Sequence, residues 1–237
     1  MSEIGLSRDG AIATLTIDRV DAGNRLSNAM AGALAGALDA AADSRVIILR
    51  GQGPDFCLGR DIEPPPPGAG VRALDVLRDD AGPIVALYAA LARRSQPIVG
   101  AVNGRAWGIG LVLAAMCDVT LVAQDSSFRL RELERGIPPC IAMAPLLGRI
   151  PDKALALLVY TAGEADAAWA LAQGVASAVV AADALGQRAR EAAEKIASFP
   201  PEAVDAVKRF MTNAPREDRA KAVQFGASLL ANVLGSR

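Results

Sequence analysis

The stretch Ser95–Asp118, SQPIVGAVNGRAWGIGLVLAAMCD, constrains the fold more than any other part of the chain. It begins with a β-branched run suited to a buried strand, passes through a turn that carries glycines, and continues into an apolar, helix-like run. A strand that turns sharply into a helix leaves the first backbone N–H groups of the helix unpaired. Those donors and the helix dipole favour negative charge, so the sequence predicts an anion or oxyanion site here. The alternative is a tight connection whose glycines serve packing alone.

The residues before this stretch alternate between strand and helix signals. Ile12–Ile17 has the alternating pattern of a half-buried strand, and Val46–Leu49 is a fully apolar strand. Between them, Ser27 suits the N-cap of a helix that runs to Ala42. A helix between two strands predicts a crossover connection and therefore an α/β fold.

The composition narrows the classes of function. Basic and acidic side chains balance at 25 and 26, and aromatic residues make up 4%, so nucleic-acid binding is not expected. Histidine is absent and Cys57, Cys117 and Cys140 are far apart, which excludes zinc sites with histidine ligands and histidine-dependent triads. Proton transfer near neutral pH must therefore depend mainly on carboxylates. Without a secretory leader or a membrane-spanning run, we expect a cytoplasmic protein with no membrane partner and no metal.

The second half of the chain is predicted to be mostly helical. Val119–Val122 is a strand, whereas the proline-rich segment Glu63–Gly70 can continue neither helix nor strand. Val204, Val207, Phe210 and Met211 form a one-sided apolar stripe that needs a partner surface. The predicted helices are Val71–Arg94, as one long helix or as two short ones with a break near Gly82-Pro83, Ala142–Leu147, Asp152–Thr161, Asp166–Gln173, Ala184–Ala197, one from Pro200, and Arg216–Leu234.

Segments in a fixed order resemble the crotonase superfamily, the enoyl-CoA hydratases and isomerases. They are Asp18–Met30 (DRVDAGNRLSNAM), Phe56–Ile62 (FCLGRDI), Ser95–Asp118 and Thr161–Ser177 (TAGEADAAWALAQGVAS). The resemblance implies an α/β, crotonase-like (ClpP/crotonase) fold, a spiral of repeated ββα units. It implies a core over residues 1–180 and a helical region over residues 181–237 that forms trimers, which can pair into hexamers. The implied ligand is an acyl-CoA thioester, with coenzyme A as part of the substrate and no separate cofactor.

The resemblance also implies roles for single residues. Family members hold the thioester carbonyl oxygen between two backbone N–H groups, which here belong to Arg60 and Ile109. Of the two glutamates that hydratases use, the first position is Val112 and the second is Glu132. A lone carboxylate fits the transfer of a proton between two carbons better than hydration, so the sequence favours double-bond isomerisation. Hydration, or acyl-CoA binding without catalysis, are the alternatives.

The same motif positions imply contacts with the acyl group or with CoA. For Arg60, the guanidinium suits CoA phosphates or a carboxylated acyl group, and a solvated surface arginine is the alternative. The proline-rich segment is either a wall of the acyl pocket or a surface connector. The residues implied to bind substrate or CoA are Ala22, Asn24, Leu58, Arg60, Asp61, Ile62, Trp107, Gly108, Ile109, Pro139 and Cys140.

The surroundings of Glu132 leave some assignments open. Glu134 would share its face if the segment were a strand, and the two roles could then be exchanged. Cys140 could be a weak acid, a small residue that lines the pocket, or a residue without a role. Bulky apolar residues over positions 139–143 predict a dry pocket that raises the pKa of Glu132, which would suit it both to accept and to return a proton.

Overall fold

The computed structural model describes residues 3–62 and 68–235, and these residues form two sheets with helices around them. The strands are β1 Ile4–Asp9, β2 Ile12–Ile17, β3 Val46–Gly51, β4 Ile98–Val102, β5 Arg105–Trp107, β6 Val119–Ala123, β7 Ser127–Arg129, β8 Glu164–Asp166 and β9 Ala178–Val180. The helices are α1 Asn28–Ala40, α2 Ala73–Asp75, α3 Gly82–Ala92, α4 Ile109–Met116, α5 Cys140–Met143, α6 Asp152–Thr161, α7 Ala167–Ala172, α8 Leu185–Ala197, α9 Pro201–Asn213 and α10 Arg219–Gly235.

The larger sheet has the strand order β1-β2-β3-β4-β6-β9 and is parallel except for the β1–β2 hairpin. The smaller sheet has the order β5-β7-β8. In the units β4–β5–α4 and β6–β7, the first strand joins the larger sheet and the second joins the smaller one. The predicted α/β fold is confirmed. In each repeated unit the chain continues beyond the end of the larger sheet, and the second strand of the unit begins there.

Helices cover both faces of the larger sheet, which explains why β3 and β4 are apolar and buried almost throughout. On one face, α1 packs against α3 and buries Met30, Leu34 and Leu38. The Ser27 hydroxyl accepts the Met30 N–H at 3.2 Å, so the predicted N-cap of α1 is confirmed. On the other face, α8 packs against β3, β4 and β6.

The last two helices bury little of their own surface within one chain. Lys208 of α9 attaches them to the core, because its Nζ lies 2.7 Å from both carboxylate oxygens of Asp118. The Asp118 carboxylate also accepts the Ile98 N–H of β4 at 2.8 Å. In the predicted apolar stripe, Val207 and Met211 are 63% and 65% exposed, so much of that stripe faces outward. The trimer that was expected to cover it stays a prediction.

Several local predictions differ from the structure. Val71–Arg94 is not broken at Gly82-Pro83, because a π-helical segment, Val76–Ala81, joins α2 to α3 without interruption. The three-residue strands β5, β7, β8 and β9 were not predicted, since so few residues carry no visible alternation. Residues 63–67 of the proline-rich segment lie outside the described residues. None of the described helices is both long enough and apolar enough to span a bilayer.

Candidate active site

The backbone N–H of Arg60 projects from a parallel bridge between two loops. The bridge pairs Leu26 with Arg60 through flanking groups: the Leu26 N–H donates to the Gly59 carbonyl at 2.9 Å, and the Asp61 N–H donates to the Leu26 carbonyl at 2.8 Å. Successive amides of an extended segment point to opposite sides, so the Arg60 N–H faces away from Leu26. It donates to no acceptor among the described residues.

The backbone N–H of Ile109 opens α4. Gly108 precedes it with φ 53° and ψ −121°, a conformation that a side chain would strain, and the Gly108 N–H donates to the Arg129 carbonyl at 2.8 Å. Ile109 is the first residue of the helix, so its N–H has no carbonyl one turn earlier to bind. In the described part of the chain this amide is unpaired, as the sequence predicted for the glycine turn.

The two turns that carry these amides are in contact. Cys57 and Ala106 form a bridge in which the Trp107 N–H donates to the Cys57 carbonyl at 2.9 Å. A Cβ added to Gly108 would lie 3.3 Å from Gly59 Cα, and one added to Gly110 would lie 2.2 Å from the Cys57 carbonyl oxygen. No side chain separates the two turns, and both Arg60 and Ile109 line the same cavity.

The Glu132 carboxylate lies next to these turns. Glu132 begins a 3-10 helix, Glu132–Arg135, shortly after β7. A Cβ added to Gly108 would lie 3.1 Å from Glu132 Oε1, while Oε2 is buried without a hydrogen-bond partner in the described structure. Burial raises the pKa of Glu132, and a hydrogen bond from its own backbone N–H and the charges of Arg135 and Arg131 oppose the rise. A carboxylate in this state has an unused acceptor and an increased affinity for a proton.

Glu134 does not share the face of Glu132. The strand considered for this segment is wrong, because the residues form a 3-10 helix. Glu134 turns to the surface, where Arg129 binds it at 2.5 Å and Arg131 at 3.3 Å. These arginines satisfy its carboxylate, so the two glutamates have different surroundings and cannot exchange roles.

A cavity of about 410 Å³ opens in front of the two amides and Glu132. Loops after β2 and β3, helix α3, the glycine turn and the segment after β7 supply its walls. The lining residues are Arg25, Leu58, Gly59, Arg60, Ile62, Ile84, Tyr88, Arg105, Trp107, Gly108, Ile109, Arg131, Glu132, Arg135, Ile137, Pro138, Pro139, Ile141 and Ala142.

The cavity brings together most, but not all, of the residues singled out in the sequence. Those that line it are Leu58, Arg60, Ile62, Trp107, Gly108, Ile109, Glu132 and Pro139, whereas Ala22, Asn24, Asp61 and Cys140 are not among the lining residues. Cys140 is exposed at the start of α5, so the interpretation of this thiol as a pocket-lining group does not fit the structure.

Asn24 and Asp61 hold the loops behind the cavity. Asn24 is 1% exposed and has φ 56°. Its side-chain amide donates to the carbonyls of Gln52 at 2.8 Å and Asp55 at 2.7 Å, and its oxygen accepts the Arg19 N–H at 2.8 Å. Asp61 forms an ion pair with Arg19 at 2.6 Å. These contacts fix loop geometry and leave both side chains with protein partners.

The Arg60 side chain is not a solvated surface arginine, so that alternative is wrong. It is half-buried in the cavity wall, and its Nη2 donates to Asn28 Oδ1 at 2.8 Å and to the Asp80 carbonyl at 2.6 Å. Burial lowers the pKa of the guanidinium. The side chain therefore leaves the Arg60 backbone N–H free and extends along the wall towards the π-helical segment before α3.

Three arginines, of which Arg105 and Arg131 are exposed and Arg129 is half-buried, surround Trp107 on another part of the cavity wall. The guanidinium carbons of Arg105, Arg129 and Arg131 lie 5.4, 5.7 and 5.8 Å from the centre of the ring. Arg105 is paired with Asp55 at 2.7 Å, and its hydrogen bonds hold the pKa of that carboxyl below the usual range although burial opposes the shift. A cation over an indole face is attracted to the ring, so these contacts hold the arginines against Trp107.

Nothing in the sequence indicated that α3 would reach the cavity. Ile84 and Tyr88 lie one turn apart on the same face of α3 and both line the cavity. Their four-residue spacing is visible in the sequence, but the apolar residues of α3 carry no sign of which face meets a ligand. Arg131 and Arg135, to which the sequence motifs assigned no role, line the cavity too.

Glu132 is the only carboxylate among the described lining residues. Val112, at the position where hydratases are expected to carry their other glutamate, is fully buried in the core of α4. The described residues contain no group of histidine, cysteine, aspartate and glutamate side chains placed to hold a metal ion. The cavity therefore combines two unpaired backbone N–H groups with one buried carboxylate.

Comparison with protein families gives a match over nearly the whole chain. The model for the family described as enoyl-CoA hydratase/isomerase matches residues 7–236. Among curated proteins, (E)-benzylidenesuccinyl-CoA hydratase of Thauera aromatica is 34% identical over 203 residues, which cover 84% of this chain and 77% of that protein. The 2,3-dehydroadipyl-CoA hydratase of Escherichia coli (strain K12) is 32% identical over 230 residues, which cover 95% and 86%.

Solved structures agree with this comparison. The crystal structure of an enoyl-CoA hydratase from Mycobacterium smegmatis superposes with a TM-score of 0.91 at 25% sequence identity, and the match covers 99% of this chain and 91% of that one. The crotonase-like fold that the sequence motifs implied is therefore confirmed.

Proposed function

The chain belongs to the enoyl-CoA hydratase/isomerase family, and from that premise we propose that Glu132 and the amides of Arg60 and Ile109 together move a proton on an enoyl-CoA thioester. The observation that carries the proposal is the buried, unpartnered Oε2 of Glu132 beside two turns whose amides are free. Donors and base face one space, and neither has another role in the described structure.

The two amides would act on the carbonyl oxygen of the thioester. When the α-carbon loses a proton, the electrons move onto that oxygen, and N–H donors already in place stabilise the enolate without reorganising. Removing a single donor of this kind typically lowers kcat by about 10²–10³-fold. Because both donors are backbone groups, the large side chains of Arg60 and Ile109 do not abolish them.

Glu132 would carry the proton. In isomerisation of a 3-enoyl-CoA, its carboxylate removes a proton from C2, the double bond shifts to C2–C3, and the same carboxyl group returns the proton to C4. One base is enough for this cycle, and a raised pKa helps the carboxyl group both to take and to return the proton. The single carboxylate among the described lining residues therefore favours isomerisation.

Hydration is the second candidate, and the names of the relatives favour it. Both curated relatives are called hydratases, of (E)-benzylidenesuccinyl-CoA and of 2,3-dehydroadipyl-CoA. In this chain, Glu132 would deprotonate water as its oxygen attacks C3 and would then deliver the proton to C2. The reaction asks more of a lone carboxylate, because the water has no second acidic side chain to position it.

Mass spectrometry and product analysis separate these reactions. The purified protein is incubated with 2-enoyl-CoA and 3-enoyl-CoA esters of several chain lengths. Isomerisation interconverts the two without a change of mass, whereas hydration adds one water to the 2-enoyl ester. If no ester gives a product, the enzymatic proposal is wrong and a CoA-ester binding role replaces it.

The substitution Glu132→Gln tests the base, with Glu134→Gln as the matched control. Glu132→Gln should lower kcat by about 10²–10⁴-fold, the usual contribution of a general base, and change the Kd for a saturated acyl-CoA less than threefold. Glu134→Gln removes an equal charge two residues away and should retain most activity. Equal losses in both variants would exclude Glu132 as the specific base.

We also propose that the exposed apolar residues of α9 and α10 are covered by other copies of the chain. Val207, Met211, Val223 and Leu230 are between 60% and 71% exposed, and a surface of this kind favours association. Sedimentation at micromolar concentration should give a trimer or hexamer. A monomer would contradict the proposal.

A further inference from the structure

The Arg60 guanidinium is a half-buried cation without a carboxylate partner. Its Nη2 is held by neutral oxygens of Asn28 and Asp80, and its Nε is buried without any partner in the described structure. No described carboxylate lies within ion-pair distance of the Arg60 guanidinium. The Asp80 carboxylate acts on the guanidinium only through a weaker electrostatic interaction from further away. Charged groups are costly to bury unless they are paired, so this cation is suited to an anionic ligand.

The other arginines of the cavity differ from Arg60 in exposure. Arg25, Arg105, Arg131 and Arg135 are exposed, whereas Arg60 is half-buried. Arg105 and Arg131 form ion pairs with Asp55 and Glu134, and Arg135 donates to the Ile62 carbonyl at 2.6 Å. Solvated arginines suit the phosphates of a CoA that stays in water. Arg60 is placed to bind an anion that enters the cavity.

Tyr88 stands beside Arg60 on the same wall. Each of the two acts electrostatically on the other, and burial raises the pKa of Tyr88, so its hydroxyl remains a neutral donor. The hydroxyl forms no hydrogen bond with the residues that the structure describes. A fixed guanidinium and a free phenol hydroxyl on one wall provide the charge and the neutral donor that a carboxylate accepts.

We propose that Arg60 and Tyr88 bind a carboxylate at the far end of the acyl group, so that the preferred ligands are CoA thioesters of dicarboxylic acids. The inference rests on the proposed function, because the thioester must sit at the Arg60 amide for the acyl chain to reach the Arg60 side chain. One residue contacts both ends of the acyl group. The length of a single arginine side chain therefore limits the acyl group to short dicarboxylates, of the size of succinyl to adipoyl.

This arrangement also protects the base. A second carboxylate near Glu132 would repel it and raise its pKa further, unless a cation neutralises the incoming charge. Arg60 supplies that cation on the wall where Tyr88 interacts electrostatically with both Arg60 and Glu132, so the charge of the ligand is neutralised close to the base. Substrate binding would thus leave Glu132 able to ionise.

Calorimetric binding tests the inference without requiring turnover. Saturated esters are compared in pairs of equal chain length: succinyl with butyryl, glutaryl with pentanoyl, and adipoyl with hexanoyl-CoA. In at least one pair the dicarboxylic ester should bind about tenfold more tightly or better, the usual worth of a charge-assisted hydrogen bond. If no pair differs, the inference is overturned.

The ratio within each pair is then measured in variants. Arg60→Gln should reduce the preference to within about threefold, Arg60→Lys should retain part of it, and Tyr88→Phe should reduce it less than Arg60→Gln. Arg135→Gln, which removes an exposed arginine of the same cavity, is the matched control and should keep the ratio. A ratio that survives Arg60→Gln, or that falls equally in the control, would contradict the inference.

The ratio also separates this inference from the proposed function. Each ratio compares two ligands on one variant, so any effect of the substitution on the neighbouring amide cancels. A preference for dicarboxylic esters in a protein that converts no enoyl-CoA would support the inference and contradict the proposed function. If the protein converts neutral enoyl-CoA esters but binds both esters of every pair equally well, the proposed function is supported and the inference is contradicted.

Discussion

The cavity has two sides that are built in different ways. On the amide side, formed by Gly59-Arg60 and Gly108-Ile109, the functional groups belong to the main chain and are fixed by bridges and a helix start. On the side-chain side, formed by Glu132, Tyr88 and the Arg60 guanidinium, the functional groups belong to side chains, so a single substitution can change each of them. The difference suggests that the amide side determines which bond is activated, whereas the side-chain side determines the reaction and the acyl group.

The substitution Gly110→Ala should break the amide side with the largest effect. The new Cβ would lie 2.2 Å from the Cys57 carbonyl oxygen, which is main chain and cannot rotate away. Forced separation of the two turns should destabilise the fold by about 1–3 kcal/mol, and displacing a donor by about 1 Å should cost about 10²-fold in kcat/KM. Steady-state kinetics and thermal unfolding measure these effects.

Gly36→Ala is the control for that experiment. Gly36 is exposed on α1, and an added Cβ would have no neighbour within 4 Å. This change should keep activity and stabilise the helix by about 0.5–1 kcal/mol. Full activity in Gly110→Ala would show that contact between the turns is not required.

Gly108→Ala tests the contact between the two sides and should have the next largest effect. Its positive φ costs an alanine about 1–3 kcal/mol, and the Cβ would press on Glu132 Oε1 at 3.1 Å. Displacement of the base should lower kcat by about tenfold or more. Gly10→Ala has a similar φ of 56° but no neighbour within 4 Å, so it should lose stability and keep kcat. Equal kcat in both variants would mean that Glu132 does not depend on this contact.

The pH dependence of kcat/KM sharpens the description of the side-chain side. Glu132 must be ionised to accept a proton, and burial raises its pKa. Activity should therefore fall as the pH decreases through a value above the ordinary glutamate pKa of about 4.3. Glu134→Gln should leave this inflection in place. An inflection at or below the ordinary glutamate pKa would show that the Glu132 carboxylate of the free enzyme is solvated.

The smallest effect is expected on stability. Because burial raises the pKa of Glu132, the folded protein binds the proton of this carboxyl group more tightly than the unfolded chain does. Stability is then lost as the pH rises from the ordinary value through the raised one. Glu132→Gln should raise Tm slightly at pH 7, and the gain should disappear below the ordinary glutamate pKa. A lower Tm at pH 7 would mean that the carboxylate stabilises the fold.

The sequence predicted the amide side better than the side-chain side, for a physical reason. A turn with glycines between an apolar strand and an apolar helix has few conformations, so unpaired N–H groups at the start of α4 could be predicted from local residues, whereas the motif was needed to assign Ile109 and Arg60. Glu132 was found through a motif, and its charged neighbours gave no local sign of burial. Tyr88 and Ile84 reach the cavity because α3 packs against α1, which depends on contacts between distant segments. The π-helical segment before α3 had no visible pattern either.

Asn24 has a consequence for engineering this enzyme. One carboxamide fastens the loops around Arg19, Gln52 and Asp55 behind the cavity, and its left-handed backbone tolerates few other residues. A mutant library aimed at new acyl groups should keep this position constant and randomise the wall that carries Tyr88. The scaffold would then absorb the new side chains without losing the geometry on which the chemistry depends.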